Sequence, residues 1–487
     1  MLKEVKNTEN PNNLTSKQKL SFIVLINPLI PACGYKVDVS LLAIYIKAKF
    51  PIKYYKCNFR ICENNYYRIV EDMKIIICNE IPDIYRKPND IIACEKLLRM
   101  DGDLIIDEAD LADEKYINFK NGILNVESME FVSHKDNSTD LIFINQVDYN
   151  YNPETKRCKF ADDFFESVTN GNKEDIDYLY QVLGVLISGY RSFKNILYFV
   201  GPKDTGKSVY MHIAERLLSN SDGTMDCSSL GLKFFADETS MELTSIIGKR
   251  ANICAENPEF NLKNVTLLKQ LSGGDRITIR VKYKDVVNFI NSALLIFSGN
   301  TVPKFIVNDS TSISDRFLVY KFKSVIEKSK QIKNLADKMN MEYIIIKAIN
   351  QLIVFLKNNQ EFSVSEEVYN NREEQLKESD LIYRFYKEEI LITDSVKDRI
   401  SNKDLFKEYV NYLIVQGFLP LNYNNAPDLT KIKTTQHEFI SEIKKLHGDN
   451  NFKRNISYDS VKADVFVKMA IKNGSKKTNA TNKVINF

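Results

Sequence analysis

The chain has 487 residues, room for two to four domains, and 44% apolar residues are enough for well-buried cores. Its formal net charge of +3 decides nothing about partners, but the charge is uneven. Residues 431–487 carry twelve Lys/Arg against five Asp/Glu, a local net of +7 on a body of −4, so one end is suited to meet a polyanion. Eight cysteines (33, 57, 62, 78, 94, 158, 227 and 254) include no C-x-x-C pair. With only four histidines, zinc-site spacing is excluded, and reduced thiols in a cytoplasmic setting are expected. No run reaches the roughly eighteen apolar residues of a membrane span. The signal-like stretch Ser21 to Cys33 follows a polar lead of twenty residues and holds two prolines, so it reads as a buried strand or helix.

Taken in chain order, residues 1–20 form a polar start. Residues 21–110 mix apolar runs (Lys74 to Cys78, Asp90 to Cys94) with strands such as Ile52 to Tyr55, an α+β pattern with no acidic triad or zinc spacing of a primase type. Residues 117–152 alternate like a small sheet, Ile117 to Val126 and Leu141 to Ile144, with a turn signal at Asn121-Gly122. From Phe160 to Tyr190 the spacing turns helical. The apolar run Ile196 to Val200 then meets Gly201-Pro-Lys-Asp-Thr-Gly206-Lys207-Ser208 and a helical pattern. Three more strand-like segments follow: Ala251 to Cys254, Arg276 to Arg280 with Asp285 to Phe289, and Ala293 to Ser298. Strands separated by helices predict an α/β core, closed by a helix over Met339 to Leu356. The polar residues 357–372 read as a linker.

The spacing G-x-x-x-x-G-K-S, with a strand before it and a helix after it, is that of a P-loop. The loop of residues 201–209 (Gly201, Pro202, Lys203, Asp204, Thr205, Gly206, Lys207, Ser208 and Val209) is placed to cradle phosphates at a helix N-terminus with its backbone N–H groups, which Pro202 alone lacks. Lys207 would reach the β/γ-phosphates and the Ser208 hydroxyl would hold Mg²⁺. Downstream, Ala251 to Glu259 puts acid at the end of a buried strand, where a Walker B carboxylate would orient the attacking water. Glu256 is the first candidate and Glu259 the second, against a plain helix cap. The segment Leu267 to Asp285 reads as a helix, a Gly-Gly stop and a hairpin tipped by Lys282, Tyr283 and Lys284. That tip suits a single-stranded backbone with a base on the ring, or is an ordinary exposed hairpin. Ser298-Gly-Asn300 ends an apolar strand with an amide able to sense a γ-phosphate. Arg316 precedes another apolar stretch, as a guanidinium offered to a neighbouring subunit's phosphate would.

In that order, Gly201 to Phe322 resembles superfamily 3 helicases, an AAA+ branch, and within it the poxvirus- and phage-type primase-helicases. The resemblance extends upstream over Phe119 to Leu124 and Tyr149 to Pro153, hence over roughly residues 117–325. It implies that Lys207 and Ser208 serve as Walker A, Glu256 as Walker B with Mg²⁺, Lys282 and Tyr283 as pore-loop hairpin, Asn300 as sensor 1 and Arg316 as arginine finger. Where many members carry two adjacent acids, this chain has Ala255-Glu256, so Mg²⁺ would rest mostly on Ser208 and water.

The expected layout is an α+β domain over 1–116, strands and a helical collar over 117–190, a P-loop AAA+ ATPase over 191–360 and a winged-helix-like domain over 373–487. In the last, helices over Ser401 to Val410 and Thr434 to Lys445 precede two wing strands, Asn451 to Tyr458 and Asp464 to Lys468. The second helix, with Lys431 and Lys433 ahead of it as DNA-binding residues, is a candidate major-groove reader, and Lys453 and Arg454 would touch phosphate; docking of a partner protein is the rival. As a whole the chain resembles the Rep initiator-helicases of staphylococcal pathogenicity islands. Family resemblance implies a homo-hexamer using ATP and Mg²⁺ to move 3′ to 5′ on single-stranded DNA, acting at a double-stranded origin, with host replication proteins as further partners and no membrane. The alternatives are an AAA+ remodelling or loading ATPase whose C-terminal module binds a protein, and an origin-binding protein with a vestigial ATPase.

Overall fold

The computed structural model describes residues 23–25, 35–135, 141–191, 194–220, 223–236, 241–258, 261–262, 264–280, 286–305, 310–371, 380–416 and 434–472. Near the N-terminus a helix over Val39–Lys49 starts where the Asp38 carboxylate accepts from the Ser40 and Leu41 amides. Strands Ile52–Tyr55, Asn58–Glu63 and Tyr66–Ile69 form an antiparallel meander. Its two-residue turns, Lys56-Cys57 and Asn64-Asn65, all have positive φ, as tight hairpins of right-handed twist demand. The two apolar runs become helices, Met73–Glu80 and Pro88–Met100, which bury Ile77, Cys94 and Leu98 with Leu42 and Ile46.

The small sheet that follows has strands Tyr116–Phe119, Gly122–Asn125 and Glu130–Ser133. Its turn is Lys120-Asn121, and Gly122 is already in the second strand. Glycine is needed there for space: a Cβ would lie 2.4 Å from the Val132 carbonyl oxygen. Leu141 to Ile144 forms no strand, only a bridge from Ile142 to Leu111. Buried arginines fasten the chain after this sheet to the N-terminal meander and to the central core. Arg60 donates to the Tyr67 and Ile144 carbonyls, and Arg250 donates to the Gln146 carbonyl and pairs with Asp226 at 3.0 Å.

The central core begins with helices α1 (Lys159–Val168) and α2 (Lys173–Ile187) and strand β1 (Ile196–Val200). Helix α3 (Lys207–Leu217), short β2 (Cys227–Ser228), β3 (Ala251–Asn257) and α4 (Thr266–Gly273) come next. An antiparallel hairpin, β4 (Arg276–Arg280) and β5 (Val286–Ile290), precedes β6 (Leu294–Gly299), β7 (Phe317–Lys321) and helix α5 (Met341–Lys357). Five of these strands form one parallel sheet in the order β2-β3-β6-β1-β7. All of β1 is buried, as a continuous apolar run in a parallel sheet covered on both faces should be. Leu197 and Phe199 join the core built with α1, α2, α3 and α5, while Ile196, Tyr198 and Val200 join the core under α4 and the hairpin.

The polar segment after α5 is no loose linker over 358–371. Phe362 and Val368 are buried, Ser365 Oγ donates to Asp175 at 3.0 Å, and Asn371 Nδ2 donates to the Val319 carbonyl of β7. The C-terminal module has its own core, with Phe385, Tyr409, Phe439 and Phe466 at its centre. Helices Leu381–Glu389, Asn402–Val415 and Gln436–His447 pack with an antiparallel sheet of Arg399–Ser401, Val461–Val467 and Phe452–Tyr458. Thr435 and Glu438 close a reciprocal capping box at the start of the third helix. Among the described residues no helix is long and apolar enough to cross a membrane.

Candidate functional site

Parallel strands share a carboxyl edge, so the segments leaving β1, β3, β6 and β7 emerge side by side. Such an edge, where the chain changes direction across the sheet, is where open α/β sheets form ligand crevices. The loop leaving β1 is fixed at both ends by glycine. A Cβ on Gly201 would lie 2.3 Å from the Phe322 carbonyl oxygen, just past β7. Gly206 sits at φ +89° as the N-cap of α3, and a Cβ there would approach Val168 of α1 to 2.6 Å. No side chain caps α3, so the N–H groups of its first turn are open to an anion. Thr205, buried, donates from its hydroxyl to the Pro202 carbonyl at 3.0 Å. The Lys207 ammonium folds over the loop, donating to the carbonyls of Gly201 and Pro202, and partial burial lowers its pKa.

The end of β3 carries a feature that its sequence does not announce. Cys254 pairs with Phe297 and Asn257 with Gly299, so β3 has one residue more than β6 across this interval. The bulge falls on Ala255-Glu256, and bulges of this kind re-aim side chains at sheet rims. Glu256 is exposed on the cavity wall, while Asn257 is buried beneath it. The Asn257 side chain accepts from the Leu232 amide at 2.9 Å and donates to the carbonyls of Cys254 and Ser298, at 3.3 and 3.1 Å. It thereby ties both sides of the bulge to the neighbouring strand. One strand over, the Tyr198 hydroxyl of β1 donates to the Thr301 carbonyl at 3.0 Å, across the bare Cα of Gly299. That bond fixes the turn that exposes Asn300.

These groups enclose a cavity of about 1050 Å³. Lys203, Asp204, Thr205, Gly206, Lys207, Ser208 and Val209 line it together with Glu256, Pro258 and Asn300. Four expected residues from three separate segments, Lys207, Ser208, Glu256 and Asn300, therefore share one space. Gly201 and Pro202 lie at the foot of the loop. The remaining walls were not read from the sequence: Phe160, Asp163, Phe164 and Ser167 of α1, and Ile326, Lys330, Gln331, Ile332 and Leu335 after β7. Helix α1 was legible as an amphipathic helix, but nothing in its spacing says that it lies against the loop.

Arg316 stands apart from this cavity. Its guanidinium donates to the Lys269 carbonyl at 2.5 Å and to the Ser272 hydroxyl at 2.8 Å, at the C-terminal end of α4. A cation there meets the negative end of the helix dipole. Lys282, Tyr283, Lys284, Lys431, Lys433 and Glu259 lie outside the described residues; β4 and β5 lead to the first three. Lys453 and Arg454 are exposed on the strand Phe452–Tyr458, beside a bulge.

A family model described as a family of unknown function (DUF5906) matches residues 199–316, from β1 to Arg316. Among solved structures, the chain is similar to the C-terminal region of NrS-1 in its A-form apo structure, with 12% identity and a TM-score of 0.42, covering 88% of this chain and 98% of that one. Two structures of residues 305–718 of the same protein give 12% identity, TM-scores of 0.44 and 0.43, and coverage of 88% here and 99% there.

Proposed function

We propose that this protein is an ATP-dependent DNA helicase of a mobile genetic element or virus, working as a homo-hexameric ring and acting as its replication initiator. The observation that carries this reading is the convergence of the glycine loop, Glu256 and Asn300 on one cavity at the carboxyl edge of a parallel sheet. The loop and the first turn of α3 would bind the phosphates. Lys207 would exchange its loop carbonyls for phosphate oxygens, whose negative charge makes them the stronger acceptors. Glu256 would accept a proton from, or orient, the attacking water, and Asn300 would hold that water or the γ-phosphate in line.

The donor set suits Mg²⁺. Ser208 and Glu256 offer oxygen ligands on the cavity wall, and Mg²⁺ completes its shell with phosphates and water rather than with a protein cage. Among the described residues no group of three His, Cys, Asp or Glu could form such a cage. Bound there, the ion would neutralise phosphate charge.

Arg316, being held away from the cavity of its own chain, is left to serve a neighbour's site, and activity then requires assembly. The segment that β4 and β5 lead to, with Lys282, Tyr283 and Lys284, would be the part of the chain that grips single-stranded DNA in the ring. The C-terminal module, with three helices, a small sheet and the exposed pair Lys453 and Arg454, supports a winged-helix reading in which it recognises the origin.

Strand displacement on forked DNA with ATP tests the whole. The wild-type chain should separate the strands, and Lys207→Ala should neither hydrolyse ATP nor unwind. Full hydrolysis by that variant would sink the phosphate assignment. Lys282→Ala should stop displacement, and unaltered unwinding would remove the hairpin from the mechanism. Hydrolysis without any displacement would favour a remodelling or loading ATPase instead.

A further inference from the structure

We infer that the cavity continues beyond its phosphate end into a nucleobase subsite. Phe160, Ile332 and Leu335 would form its apolar walls, with the Asp163 carboxylate accepting from an exocyclic amine of the base. This deepens the proposed function and rests on its phosphate reading of residues 201–208.

Two independent segments build the subsite, and both are fastened to the loop. Helix α1 lies against it, since a Cβ on Gly206 would meet Val168 at 2.6 Å and Phe164 at 3.1 Å. Phe160 lies four residues before Phe164 on the same helix, about 6 Å along its axis. On the other side the Ile326 amide donates to the Asp204 carbonyl at 2.8 Å, tying the chain after β7 to the loop. Gln331 Nε2 closes that segment back on the Ile326 carbonyl at 3.0 Å. Further along, Arg216 of α3 donates to the Ala336 carbonyl and His212 meets Asp337 at 3.3 Å.

The exposure of these side chains is the telling point. Phe164 and Phe165 of α1 are buried to within 2%, whereas Phe160 is 44% exposed and Ile332 is 41% exposed. Single exposed apolar residues are ordinary. Here two large ones, from segments far apart in sequence, line the same cavity as the glycine loop. Its volume of about 1050 Å³ reaches the upper range of small-molecule pockets, far more than a phosphate chain needs. An aromatic ring over a base is a sequence-tolerant contact, each worth about 1–3 kcal/mol in nucleic-acid complexes. Asp163 shares the helix face of Phe160, three residues on. Apart from Asp204 in the loop and Glu256 at the end of β3, it is the acidic side chain on the cavity wall. A carboxylate acceptor there favours adenine, which carries an amine, over uracil, which has none.

Calorimetric titration of the full-length protein with ATP, UTP and inorganic tripolyphosphate tests this. The wild type should bind ATP at least about tenfold tighter than tripolyphosphate, an advantage of roughly 1.4 kcal/mol. Phe160→Ala and Ile332→Ala should lose most of that advantage and keep the tripolyphosphate affinity, which itself reports an intact loop. Asp163→Ala should erase the preference for ATP over UTP. Equal wild-type affinities for ATP and tripolyphosphate, or equal losses of both in Phe160→Ala, would overturn the subsite. Lys207→Ala separates the two readings, because it should weaken both ligands. If it does so while the base arms fail, the subsite falls alone; if the wild type binds neither ligand, the phosphate reading falls and takes the subsite with it.

Discussion

Asn257 shows how much one buried amide can decide at the scale of a residue. Its three hydrogen bonds hold a bulge that a seven-residue strand has no intrinsic reason to form. Removing them in Asn257→Ala would leave the Leu232 amide and two carbonyls to find other partners, at about 1–3 kcal/mol for each buried group left unmet. If the site hydrolyses ATP as proposed, the expected result is a fall in kcat of about tenfold or more with nucleotide affinity nearly unchanged, because Glu256 moves while the glycine loop does not. Steady-state turnover set beside nucleotide titration measures the split; parallel loss of both quantities would make Asn257 merely a folding residue. Glu256→Gln should bind ATP and fail to turn it over, which quenched-flow hydrolysis with a binding assay would detect.

Elements are set by close approaches that local preference does not foresee. Gly184 lies inside α2, where alanine ordinarily stabilises a helix by about 1 kcal/mol over glycine. Here a Cβ would lie 2.3 Å from the Ala348 carbonyl oxygen and 2.9 Å from Leu352 Cβ, on the facing helix α5. Gly184→Ala should therefore lower the urea midpoint, since the two helices must separate, with a cost of about 1–3 kcal/mol as for overpacked cores. A raised midpoint would show that propensity outweighs the contact. The glycine loop follows the same logic. Gly206 is required both by φ +89° and by Val168 at 2.6 Å, so α1 and the loop constrain each other.

For the whole molecule, the C-terminal module closes its own core around Phe385, Tyr409, Phe439 and Phe466 and presents basic side chains outward. Of these, Lys453 and Arg454 are exposed, and Lys444 lies with its ammonium 3.7 Å from the centre of the Phe452 ring. If the module grips DNA through phosphate, each contact releases a counterion. The double variant Lys453→Ala/Arg454→Ala should then flatten the slope of log affinity against log salt by about two. Fluorescence anisotropy across a salt series reads that slope, and an unchanged slope would move the contact elsewhere on the chain.

The sequence by itself determined the local pieces. The apolar run Ile196–Val200, the loop spacing and the following helix were all legible, because strand length, glycine at tight positions and helical periodicity are properties of neighbouring residues. The strands carrying Glu256 and leading to Asn300 were legible for the same reason. Some short apolar runs were not: Lys74 to Cys78 and Asp90 to Cys94 lie in helices, and Leu141 to Ile144 makes only a bridge, since short runs bear no decisive period. Residues 358–371 read as a linker because they are polar, yet Asp175, Gln181 and Val319 supply partners for that polarity. Only the tertiary structure decided that parallel strands bring Lys207, Glu256 and Asn300 to one edge, and that α1 and the chain after β7 complete the cavity. It also held Arg316 on α4, away from them. Convergence of this kind depends on strand order and on packing between distant segments, and neither has a period that a sequence can display.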